Sequence, residues 1–104
     1  MKRTILAGLI ASFASVGGSA LAASEKETDC AYQGQVVAAV QQARLDRVKE
    51  EEVRAHVSAE ADWPDRYNNA IPIFAGWIYG GDVKMKDLRE QNLGEAWRQT
   101  CLSQ

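Results

Sequence analysis

Cys30 and Cys101 are the two cysteines of this 104-residue chain, and their placement limits the folds open to it. If they pair, they close a loop of roughly 70 residues, worth about 4 kcal/mol in the chain-entropy model. The elements carrying them must then lie side by side. Buried free thiols and links to other chains are the competing states. An oxidising compartment favours the intramolecular bridge.

The N-terminus points to such a compartment. Lys2 and Arg3 precede an apolar run from Ile5 to Val16, then Gly17-Gly18-Ser19, then Ala20-Leu21-Ala22. This is the layout of a secretory leader with a small-x-small cleavage site. The run is shorter than the roughly 20 residues of a spanning helix, so no stable membrane anchor is expected after cleavage. No Cys follows the site directly, which disfavours an acylated lipoprotein, and Lys2-Arg3 is not a twin-arginine signal. The expected division is 1–22 as leader and 23–104 as one helical domain, with 23–28 a flexible lead-in. The expected location is periplasmic or secreted.

Removing 22 residues from 104 leaves 82, enough for one modest core. Losing Lys2 and Arg3 from the 12 basic residues leaves ten against 14 acidic ones, a net charge near −4. The basic residues are scattered among acids. Nucleic acid and anionic lipid both call for a basic stripe, so neither is an expected partner.

Periodicity predicts an all-α domain of four helices closed by the terminal disulfide. Asp29 is placed to cap a first helix reaching about Asp46, with Val36, Val37, Val40 and Ala43 as its apolar stripe. Gln33, Gln35, Gln41, Gln42 and Arg44 fill the rest of that helix, and Gly34 leaves room for a neighbour. Glu50, Glu51 and Glu52 suit the positive end of a second helix, buried through Val53 and Val57 and ending near Ala61. Tyr67, Ile71, Phe74 and Ile78 form the stripe of a third helix, widened by Ala70, Ile73 and Trp77. Pro72 either bends this helix or falls at its first-turn boundary. Gly80-Gly81 ends it, and a charged connector follows, with a turn of helix around Asp87 to Glu90. Asn92-Leu93-Gly94-Glu95 has capping-box spacing for the last helix, which turns Leu93, Ala96, Trp97 and Cys101 inward.

Few residues offer chemistry. His56 is the single histidine. Glu52, His56 and Glu60 share helical spacing, which suits a weak metal site or an acid/base group; a solvated face is the simpler reading. Asp62 and Asp65 carry little information as a carboxylate pair. Neither a phosphate loop nor a Cys-x-x-Cys motif is present. No catalytic residue, cofactor or firm metal ligand is therefore assigned.

Trp63, Tyr67, Phe74, Trp77 and Tyr79 fall within seventeen consecutive residues. Phe74 and Trp77 are expected in the core. Trp63, in a turn, and Tyr79, out of phase with the stripe, are expected partly exposed. With Tyr67 they form the candidate partner surface.

A cysteine in the first helix and another in the last, on a small acidic exported helical body, resemble the acid-stress chaperones HdeA and HdeB. Cys30-Ala-Tyr32-Gln-Gly34 also resembles, with a shorter spacing, the Cys-x-x-Tyr-x-x-Gly opening of the Rap1a/Tai immunity proteins. The first resemblance implies client shielding once the carboxylates protonate; neither transfers a site residue. The leading expectation is a non-enzymatic module that binds a protein partner. An acid-stress chaperone is second, and a small hydrolase or metal-binding protein using His56 is third.

Overall fold

The computed structural model describes the backbone of residues 6–104 and side chains from Ser24 onward. The expected leader, 1–22, lies outside the residues with described side chains. Five helices follow one another: α1 (Leu6–Leu45), α2 (Glu50–Ala59), α3 (Ile71–Ile78), α4 (Met85–Glu90) and α5 (Leu93–Leu102). A 3₁₀ helix, Asp65–Ala70, leads into α3. The described residues contain no strand, and the all-α class stands. The count of four helices is corrected to five. The charged connector forms its own helix, because Asp87 Oδ2 accepts the Lys84 backbone N–H at 3.1 Å and Leu88 is buried.

α1 is the spine. Val36, Val37 and Val40 are fully buried and Ala43 is 2% exposed, as their spacing predicts. Full burial is worth about 1.5–3 kcal/mol per valine-sized side chain, so the three valines together outweigh a helix cap of about 1 kcal/mol. Asp29 lies inside this helix instead of capping it, since α1 runs continuously through 24–28. The C-terminus closes in a Schellman motif. Arg47 is left-handed at φ 66°, with Val48 N–H on Ala43 O and Arg47 N–H on Arg44 O.

Two devices hold α5 against α1. The Cys30–Cys101 disulfide joins them, with Cα atoms 5.6 Å apart. Between them Gly34 faces Gly94 so closely that a Cβ on Gly94 would stand 2.6 Å from Gly34 O. The space expected beside Gly34 is thus filled by backbone. Asn92 caps α5, its Oδ1 accepting Glu95 N–H at 3.0 Å. The reciprocal half of the box is replaced, because the Glu95 carboxylate turns to Arg98 and Gln99.

The polar side of α1 does more than face water. Gln41, 8% exposed, donates to Leu88 O (2.8 Å) and Gln91 O (2.7 Å) and accepts from Leu93 N (3.1 Å). One amide therefore serves the end of α4 and the start of α5, where backbone groups have no helical partner. Gln33 accepts the Trp97 indole N–H at 3.0 Å, and Arg44 donates to Ile78 O and Val83 O. These contacts fasten the returning chain to the spine.

Candidate functional site

The sequence Ile71-Pro-Ile-Phe-Ala-Gly-Trp-Ile78 carries no charge, and α3 begins at its first residue. Pro72 lies in the first turn, where its missing N–H leaves no helical bond unmade, so no kink is needed. The 3₁₀ helix upstream absorbs the rest of the expected third helix. Ile71, Phe74, Ala75 and Ile78 face inward. Pro72, Ile73, Gly76 and Trp77 face outward. Ile73 is 72% exposed and Trp77 39%, and their four-residue spacing puts them on one face.

Trp97 borders this face on the α5 side. Its ring lies 6.2 Å from Trp77 and meets Phe74 edge-on at 5.2 Å. A groove borders the α2 side, lined by Glu50, Glu51, Val53, Arg54, Pro72 and Ala75. The result is an apolar ridge between an aromatic edge and an acidic lip.

Of the three residues expected to form a partner surface, Trp63 and Tyr67 are buried and Tyr79 is partly exposed as expected. Trp63 is 9% exposed because its indole N–H reaches Asn68 Oδ1 at 2.8 Å, which lets the ring enter the core. Tyr67 is 6% exposed. Its hydroxyl donates to Asp29 Oδ1 at 2.6 Å and accepts from Arg66 at 3.0 Å, while its ring packs 5.2 Å from Tyr32. The Asp29 hydrogen bond, then burial, raise the Tyr67 pKa above the ordinary tyrosine value, with Arg66 opposing.

Tyr79 is half-buried under Arg44, its hydroxyl donating to Val48 O at 2.6 Å. Burial raises its pKa, Arg44 pulls it down, and Glu50 adds a small upward push. All three aromatic residues fasten elements together. Trp77, expected in the core, is the aromatic residue that reaches solvent on α3. Ile73, expected to widen the buried arc, is exposed as well. An eight-residue helix apolar all round, in a chain too small to cover both its sides, is the signal that marks the pair.

Glu52, His56 and Glu60 are all exposed. α2 ends at Ala59, with Glu60 as its C-cap at φ −106°. His56 and Glu60 border one hollow with Asp46, Asp62 and Trp63, which Glu52 does not line. Among the described residues no group of three or more His, Cys, Asp or Glu is placed to hold a metal ion. Asp65 and Asp62 lie exposed beside the 3₁₀ helix. No described helix is long and apolar enough to cross a membrane. Comparison with family models, curated proteins and solved structures gives no match.

Proposed function

We propose that this chain is an exported, non-enzymatic binding module that docks a protein partner on the outer face of α3. The observation that carries the reading is Ile73, 72% exposed beside Trp77 on a helix without charge. Burying an isoleucine is worth about 1.5–3 kcal/mol, and an adjacent tryptophan adds the large, stiff contact area typical of binding anchors. An apolar pair rimmed by polar residues is the composition of an interaction site. The leader-like N-terminus and the Cys30–Cys101 bridge support residence in the periplasm or outside the cell. No catalytic role is assigned to any residue.

The test is cross-linked co-purification of tagged protein from its native envelope at pH 7, comparing wild type with Ile73→Ser and with Lys86→Ala as an exposed control on α4. A stoichiometric partner lost from Ile73→Ser and kept by Lys86→Ala is expected. Wild type that captures nothing beyond Ile73→Ser contradicts the reading. Suppression of client aggregation at pH 3, with no defined partner at pH 7, would replace it with the acid-chaperone reading.

A further inference from the structure

Building on the docking reading, we infer that the occupant of this face is a basic amphipathic helix, with an apolar stripe for Ile73 and Trp77 and Lys or Arg for the α2 lip. Carboxylates that make no ion pair among the described residues line the groove. Glu50, Glu51 and Glu52 form the first turn of α2 and are all exposed, and Glu50 and Glu51 line the groove beside Pro72 and Ala75.

A helix N-terminus carries the equivalent of roughly +0.5 charge, far less than three carboxylates contribute. Arg54 adds one positive charge to the same groove. Lys49, exposed just before Glu50, adds another at the same helix end, so the lip keeps a negative excess of about half a charge. Among the described residues the one ion pair is Arg98–Glu95, so the three lip carboxylates make no ion pair with Lys49 or Arg54 and stay open to an outside cation.

The opposite border is uncharged, formed by Trp77 and Trp97. Any segment that covers Ile73 thus meets carboxylates on one side and aromatic rings on the other. A helix with adjacent apolar and basic faces matches both borders. Its apolar side supplies most of the affinity, while its charges steer encounter and reject acidic competitors.

Two synthetic helical peptides test this. They share one leucine and alanine stripe and carry either lysine or glutamate at every polar position. Each is titrated into the purified protein, read by amide shifts and by tryptophan fluorescence. The lysine peptide is expected to bind about tenfold more tightly, the effect of two or three exposed ion pairs. Added salt and the triple variant Glu50→Gln/Glu51→Gln/Glu52→Gln should erase that preference, and Ile73→Ser should abolish binding of both peptides.

Equal binding of both peptides to wild type, lost in Ile73→Ser, overturns the charge selection and leaves the docking reading standing. Lysine-peptide binding that survives Ile73→Ser is plain charge attraction and overturns the inference. Absence of lysine-peptide binding overturns it too, and the docking reading is then judged by partner capture alone.

Discussion

Gln41→Met removes the amide that joins α4 to α5 while keeping the length of the side chain. The native amide makes three hydrogen bonds from a residue only 8% exposed. Water can replace the bond to Gln91 O, because Gln91 is exposed. The bonds to Leu88 O and Leu93 N are buried, and losing the partner of a buried polar group costs about 1–3 kcal/mol each. The extra apolar character of methionine offsets part of this. The net expectation is a loss of about 2–4 kcal/mol. Urea unfolding followed by circular dichroism is the assay. With a slope near 1 kcal/mol/M for so small a domain, the midpoint should fall by about 2 M or more.

Gln42→Met is the control. Its amide reaches only Asp46, at 3.0 Å on the surface, so its effect should stay within about 0.5 kcal/mol. Exchange of the Leu93 amide hydrogen should also accelerate in Gln41→Met and not in Gln42→Met. Two variants of equal stability would refute the account of Gln41 as a latch.

Three further perturbations probe other parts of the fold. Replacing Cys30 and Cys101 together by serine should cost about 4 kcal/mol, because 71 residues of sequence separation regain their freedom in the unfolded chain. A loss below about 1 kcal/mol would mean that helix packing alone holds the ends. Gly76→Ala and Gly94→Ala should differ in sign. A Cβ on Gly76 meets nothing within 4 Å, so α3 gains about 0.5–1 kcal/mol of helix propensity, whereas Gly94→Ala drives a Cβ into Gly34 O and should lose about 1–3 kcal/mol. Thermal melts decide, and a stabilised Gly94→Ala would contradict the close crossing.

The third concerns alkaline pH. The folded Tyr67 hydroxyl holds its proton above the unfolded value of about 10, so its contribution is present below that pH and is lost as pH rises through the folded value. Tyr67→Phe should flatten the fall of stability between about pH 9 and 11, and an unchanged profile would refute the Asp29 contact as the cause.

The apolar skeleton was readable because burial leaves a period. Val36, Val37, Val40 and Ala43 repeat at helical spacing, and so do Ile71, Phe74 and Ile78; all are buried. The cysteine pair was readable from compartment and count. The latches were not, since Gln33, Gln41 and Arg44 have the composition of a solvent face. What distinguishes them is an unpaired backbone group on a distant element, which no local pattern records. Trp63, expected partly exposed, and Tyr67, expected in the stripe but also assigned to the partner surface, enter the core for the same reason: Asn68 and Asp29 satisfy their polar ends. Ile73 and Trp77 were misplaced in the opposite direction. The stripe predicts which side of α3 is apolar, and here both sides are, so only the number of available neighbours decides which one is covered.

That shortage of neighbours links fold to function. α4 and α5 are drawn back to α1 by Gln41, the Gly34–Gly94 crossing and the disulfide, which leaves the outer side of α3 uncovered. The most direct test is hydroxyl-radical footprinting of the tryptophans, in intact cells and again on the isolated protein. The account predicts that Trp77 is modified readily after isolation and protected in its native setting, while Trp63 stays protected in both. Equal modification of Trp77 in the two settings would contradict it.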